Sequence, residues 1–198
     1  MLKTSGAGDQ HRGKGVVVTG GAKGIGLGIV QRFVAEGAFV VIADIDMDAA
    51  RLAAAELGDS AVAVHTDVRD EAALQNAVDV TVARTGQLDV MVNNAGVIAV
   101  APLIETEADQ WVRLLDINVV GVAMGSKVGA KQMISQGVGG CIVNASSGGG
   151  RHGVANVSQY CASKAAIIML SQSLSQEVAQ HKIRVNCYTP GHIMTPLW

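Results

Sequence analysis

The chain has 198 residues, 49% of them hydrophobic, and a formal net charge of −2, which is enough apolar material to bury one full core. Acidic and basic residues are interspersed, so there is no basic stripe for nucleic acid, and the apolar runs are too short to cross a bilayer. The first thirteen residues are polar and glycine-containing and read as a flexible tail with no apolar leader. Cys141, Cys161 and Cys187 are odd in number and lack metal-ligand spacing, so they read as free thiols in a reducing cytoplasm.

Lys14–Thr19 opens the ordered chain as a short buried strand, its apolar core at Val16–Thr19. Gly20-Gly21-Ala22-Lys23-Gly24-Ile25-Gly26 follows directly, and the apolar positions of Gly24–Glu36 suit a helix. Strand, glycine turn and helix together present free backbone N–H groups and a positive helix end to a phosphate. Gly20, Lys23, Gly24, Ile25 and Gly26 are therefore candidate cofactor contacts, with the spacing Gly-x-x-x-Gly-x-Gly. The second strand, Phe39–Asp44, ends in a carboxylate twenty positions after Gly24. There it can accept hydrogen bonds from the adenosine ribose of NAD and would repel a 2′-phosphate. Lys23 pulls the other way, because it can pair with that phosphate. We let the carboxylate at the ribose position decide, and expect NAD over NADP. Asp44 could instead cap the Met47–Leu57 helix, a task Asp46 or Asp48 would do equally well.

Ala61–Asp67, Leu88–Asn93, Gly140–Ala145 and Ile183–Thr189 are the remaining strand candidates. Helical stretches Glu71–Arg84, Glu107–Gln136 and Ser158–His181 alternate with them. Strands buried on both faces and joined by helical crossovers imply an α/β, doubly wound parallel sheet of Rossmann-like type, order 3-2-1-4-5-6. Residues 14–198 show no repeat or linker and read as one catalytic and cofactor-binding domain. Every candidate functional residue falls at a strand's carboxyl end or on the following helix, where ligands bind in such sheets.

Tyr160-Cys161-Ala162-Ser163-Lys164 carries the chemistry. Residues four apart share a helix face, so Tyr160 and Lys164 would project side by side. A nearby ammonium favours the phenolate and brings a tyrosine toward the range where it exchanges protons with an alcohol. Ser147, thirteen residues upstream of Tyr160, has a hydroxyl to hold the reacting oxygen. Ser146 competes for that role. His65, His181 and His192 show no ligand spacing for a metal, and no metal is expected.

These motifs, in this order and spacing, resemble the short-chain dehydrogenase/reductase family over nearly the whole chain. The marks are Thr19–Gly26, Asp67-Val68, Asn93-Asn94-Ala95-Gly96, Asn118, Asn144-Ala145-Ser146-Ser147, the Tyr160/Lys164 pair and Pro190–Thr195. The resemblance implies a catalytic set of Asn118, Ser147, Tyr160 and Lys164, and the family's spacing favours Ser147 over Ser146. Asn118 would mark a helix irregularity whose freed carbonyl holds a water beside Lys164. It implies that Asp67 and Val68 meet the adenine and that Asn94, Ala95 and Gly96 pass close to the ribose. Tyr160 and Lys164 would also touch the cofactor, and Pro190, Gly191, Ile193 and Thr195 would lie beside the nicotinamide and pyrophosphate. Ser147, Tyr160 and His152 are the expected substrate contacts.

The resemblance further implies interconversion of a secondary alcohol and a ketone, with a homo-oligomer (dimer or tetramer) built on the Glu107–Gln136 and Ser158–His181 helices. The family usually continues past the Pro190-Gly191 turn into a further helix and a seventh strand, whereas this chain stops at Trp198. It is therefore expected to be truncated at its C-terminus. The segment Thr189–Trp198 is similar to that of family members acting on small diols, hydroxyketones and sugar alcohols, and Trp198 near the pocket mouth would limit substrate size. Gly148–Gly153 adds polar groups and backbone room that suit hydroxylated substrates. The competing readings are a 3-oxoacyl-thioester reductase, a steroid reductase, and a non-catalytic NAD(H)-binding module.

Overall fold

The computed structural model describes residues 9–191, Ile193 and Met194. Six parallel strands, β1 (Gly15–Thr19), β2 (Phe39–Asp44), β3 (Ala61–His65), β4 (Val90–Asn93), β5 (Gly140–Ala145) and β6 (Ile183–Tyr188), lie in the order β3-β2-β1-β4-β5-β6. Helices α1 (Gly24–Ala35), α2 (Met47–Leu57), α3 (Glu71–Thr85), α4 (Ala108–Leu115), α5 (Gly121–Gln136) and α6 (Ser158–Val178) connect them. Branched residues dominate the central strands, and alternate side chains feed two separate cores. Val17, Val41, Met91 and Ile142 pack on one face, and Val16, Val18, Val40 and Ile42 on the other. Each is fully buried, worth roughly 1.5–3 kcal/mol per side chain before conformational entropy is counted.

Helix boundaries follow local chemistry. The Asp46 side chain accepts from Ala49 N to start α2, and Asp70 accepts from Ala72 N to start α3. Gly86 and Gly137 end α3 and α5 in the left-handed conformation that glycine tolerates best. The stretch expected as one helix from Glu107 to Gln136 is interrupted. Asp116–Val120 forms a π-turn, with Gly121 N donating to Asp116 O, and separates α4 from α5.

A buried polar network sets α5 and α6 on the sheet. Asn93 Nδ2 on β4 donates to Asn144 Oδ1 on β5 at 2.9 Å and to Ser126 Oγ on α5 at 3.1 Å. Asn144 Nδ2 in turn donates to Ser171 Oγ on α6 at 3.0 Å. Gly125 permits this approach, because a Cβ there would collide with Asn93 Oδ1.

Residues 9–13, expected as part of a floppy tail, instead dock on the turn between α1 and β2. His11 N donates to Glu36 O, and Gly13 N to Gly37 O. Glu36 is buried and needs partners there, which Arg32 and His11 provide. Residues 1–8 lie outside the described residues. No helix among the described residues is long and apolar enough to cross a membrane.

Candidate active site

The strand order reverses between β1 and β4, and the parallel register brings the ends of both strands level, Thr19 opposite Asn93. Such a switch point opens a crevice at the carboxyl edge of a sheet. Here the crevice is a cleft of about 260 Å³ whose lining includes Gly20, Gly24, Asn94, Ser146, Tyr160 and Lys164. Lys23, Ile25, Gly26, Ala95, Gly96 and Pro190 also line it.

The glycine turn is built for close approach. Gly20 and Gly24 have φ of 61° and 55°, a region side chains disfavour. A Cβ on Gly26 would collide with the Gly20 carbonyl. The α1 N-terminus has no side-chain cap and no acidic residue in its first turn. Its first N–H groups, which a helix cannot satisfy internally, are thus left for an anion. Across the cleft, Asn94 Nδ2 donates to the carbonyls of Thr19 and Gly20 at 3.1 and 3.0 Å. Thr19 Oγ1 accepts from Asn94 N and Ala95 N. These residues fit a dinucleotide with its pyrophosphate on the α1 N-terminus.

On α6, Tyr160, Lys164, Ile167 and Ser171 follow one another at helical spacing along the face turned to the sheet. Lys164 is only 4% exposed. Its Nζ donates to Ala145 O at 2.9 Å and lies 5.5 Å from the Tyr160 ring centre. Burial pushes the Lys164 ammonium down to about 8, so at neutral pH it keeps its charge. Asn118, inside the π-turn, is fully buried. Its side chain accepts from Val97 N and donates to Val97 O and Ser163 Oγ. A Cβ on Gly96 would sit 3.2 Å from Asn118 Oδ1 and 3.3 Å from Lys164 Nζ. Glycine there lets the β4 loop pass over both groups.

The two serines separate cleanly. Ser146 is buried, and its hydroxyl donates to Lys164 O at 2.7 Å. Ser147 Oγ accepts from Gly149 N at 3.2 Å. The point a Cβ on Gly149 would occupy is 3.6 Å from Ser147 Oγ and 3.8 Å from Tyr160 Cδ1, so Ser147 and Tyr160 flank one small space.

The remaining candidates differ in how they are held. Asp44 Oδ2 accepts from Ala22 N and Oδ1 from Asp46 N, each at 3.0 Å, which aims the carboxylate and leaves lone pairs for further donors. The cap of α2 is Asp46, and Lys23 Nζ is bound to its Oδ2 at 2.7 Å. Asp67 is gripped by Arg69 through both carboxylate oxygens, and the Arg69 hydrogen bond holds its carboxyl below the usual range. Val68 does not face the cleft. It is a core residue against Gly121, because the chain turns immediately after β3. His152 is exposed and is not among the cleft-lining residues. Pro190 O accepts from Gly148 N at 3.0 Å, joining the β6 and β5 loops. Gly191 and Ile193 are exposed. Thr195, His192 and Trp198 lie outside the described residues. Among those residues no cluster of three His, Cys, Asp or Glu gathers.

One cleft residue had no assigned role. Tyr188, at the end of β6, donates its hydroxyl to Asn94 Oδ1 at 2.8 Å. Burial, with Tyr160 nearby, pushes its phenol up, so it stays a neutral donor. Its strand parity matches the exposed Arg184 and Asn186, which hid it. A lone aromatic two residues before Pro190 was the available clue.

Residues 14–198 match the family model described as short chain dehydrogenase. A sorbitol dehydrogenase of Cereibacter sphaeroides is 42% identical, over 94% of this chain and 73% of its own. A galactitol 2-dehydrogenase of Agrobacterium fabrum is 42% identical, over 93% and 72%. An NADP-dependent (R)-specific alcohol dehydrogenase of Lentilactobacillus kefiri is 38% identical, over 96% and 77%. The crystal structure of a short-chain type dehydrogenase/reductase from Mycobacterium marinum shares the fold with a TM-score of 0.91 at 32% identity, covering 96% of this chain and 76% of that one. The chain belongs to the short chain dehydrogenase family, oxidoreductases that use NAD(H) or NADP(H).

Proposed function

We propose that the protein interconverts a secondary alcohol and a ketone with NAD(H), and that the substrate is a small diol, hydroxyketone or sugar alcohol. The observation that carries this is the juxtaposition of Tyr160 and the buried Lys164 ammonium in a cleft lined by the glycine turn, with Ser147 flanking Tyr160 across the small space at Gly149. When bound, the nicotinamide supplies or accepts the hydride. Tyr160 takes the hydroxyl proton at its phenolic oxygen in oxidation and returns it in reduction. Lys164 places a positive charge 5.5 Å from the centre of the Tyr160 ring, and its N–H groups not bonded to Ala145 O are available to a ribose. The Ser147 hydroxyl donates to the substrate oxygen and holds it against Tyr160. Asn118 fixes the β4 loop to α6 and keeps a proton route beside Lys164.

Asp44 supports NAD, since its fixed carboxylate stands at the ribose position and repels a 2′-phosphate. The sorbitol and galactitol dehydrogenases among the relatives support a hydroxylated substrate. Exposed Val112, Val120 and Met169 on the α4–α5 stretch and α6 support a homo-oligomer through those helices; sedimentation as a monomer would contradict it. Substrate class is tested by kcat/KM with butanediols, acetoin, sorbitol, a 3-oxoacyl thioester and a steroid. A hydroxylated substrate is expected to lead. A tenfold lead for the thioester or steroid, about 1.4 kcal/mol of transition-state preference, would reverse the reading.

A further inference from the structure

The geometry points to Asp46 as a specificity-determining residue that keeps Lys23 from serving a 2′-phosphate, and so helps select NAD over NADP. This rests on the cofactor reading above and deepens it. Lys23 belongs to the glycine turn and lines the cleft. Its ammonium is close enough to feel the charge of Asp44, which marks the ribose position, and an NADP phosphate placed there would want it.

Lys23 is already engaged. Its Nζ is bonded to Asp46 Oδ2 at 2.7 Å. The ammonium is raised and the carboxyl lowered, each chiefly by this same hydrogen bond. Asp46 is in turn held from two sides. Its Oδ1 accepts from Ala49 N at 3.1 Å as the cap of α2, and its backbone N–H donates to Asp44 Oδ1 at 3.0 Å. Asp44 Oδ2 accepts from Ala22 N, the residue before Lys23. The chain Ala22–Asp44–Asp46–Lys23 therefore closes on itself, and one carboxylate both starts a helix and tethers the lysine.

The pair is solvent-exposed, with side chains 56% and 43% accessible, so the tether is weak by itself. Selection depends only on a difference between two cofactors, and a modest bias suffices. Freed from Asp46, Lys23 has two destinations. It can reach the 2′-phosphate, or it can pair with Asp44 and remove the repulsion that the phosphate meets. Both raise NADPH affinity relative to NADH.

The test is titration of the whole protein with NADH and with NADPH, followed by dinucleotide fluorescence, which needs no knowledge of the substrate. Asp46→Asn keeps an oxygen to accept from Ala49 N and removes the charge. It is expected to improve the NADPH-to-NADH affinity ratio roughly three- to fivefold, the range an exposed ion pair allows, and less in high salt. Asp46→Ser, which can also cap, should give the same shift. Adding Lys23→Met should abolish it. An unchanged ratio in both Asp46 variants, or a shift that survives Lys23→Met, would overturn the inference while leaving a wild-type preference for NADH intact. Tighter binding of NADPH by the wild type would overturn both this inference and the cofactor reading.

Discussion

Replacing Lys164 by Met should change how stability depends on pH. The residue is 4% exposed, and burial moves its pKa from 10.5 to about 8. Below pH 8 the lysine is protonated in both the folded and the unfolded chain, and stability is flat with respect to this group. Between the folded and unfolded values the unfolded chain binds a proton that the folded chain does not. The depressed folded pKa therefore makes stability rise with pH across that window, and the gain is complete above the unfolded value. A fall from 10.5 to about 8, at about 1.4 kcal/mol for each pH unit, is worth roughly 3 kcal/mol as an upper limit. Lys164→Met retains the apolar stem and lacks the titration. Urea unfolding of both proteins at intervals from pH 7 to pH 10.5 isolates the effect, because other titrating groups cancel in the difference. The stability of the wild type relative to the variant should climb by about 2–3 kcal/mol across the series. A flat difference would refute the claim that this ammonium is held in a desolvated site.

Three further substitutions probe the cleft. Gly26→Ala should abolish dinucleotide binding, because the added methyl meets the Gly20 carbonyl. Gly28→Ala, two residues on and with nothing within 4 Å of the new methyl, should leave binding unchanged and raise stability by about 0.5–1 kcal/mol; calorimetry and dinucleotide titration read both. Tyr188→Phe removes the donor to Asn94 Oδ1 and should lower stability by about 1 kcal/mol, the value of one hydrogen bond, and weaken NADH binding as Asn94 loosens its hold on the glycine turn. Wild-type affinity in that variant would show that Asn94 holds the turn without it.

The sheet was readable from sequence because its central strands are buried on both faces. Runs such as Val16-Val17-Val18 and Val40-Val41-Ile42 admit few other placements, and the helices between them force parallel crossovers. The positions of Tyr160 and Lys164 were readable for a similar reason, since helical spacing alone puts them on one face. What stayed hidden depended on long-range partners. The π-turn at Asp116–Val120 was expected only through the family resemblance, as an irregularity at Asn118; it arises where Asn118 turns inward to bond Val97 and Ser163, contacts that helix periodicity does not encode. Val68 packs in the core against Gly121 of α5, a partner far along the chain. Residues 9–13 are ordered by the buried Glu36, which amphipathic patterning places on the surface. Ser146 and Ser147 could not be separated by strand alternation alone; the hydrogen bond from Ser146 to Lys164 O distinguishes their surroundings.

The central claim is that Tyr160 moves the proton while the glycine turn holds the cofactor. It is tested most directly by Tyr160→Phe, measuring NADH affinity and NAD-linked oxidation of the best alcohol from the substrate panel on one folded preparation. The account predicts NADH affinity within about twofold of wild type and a loss of kcat of about 10²–10⁴, the range for removal of a positioned acid–base group. Wild-type turnover in a folded Tyr160→Phe protein would contradict it.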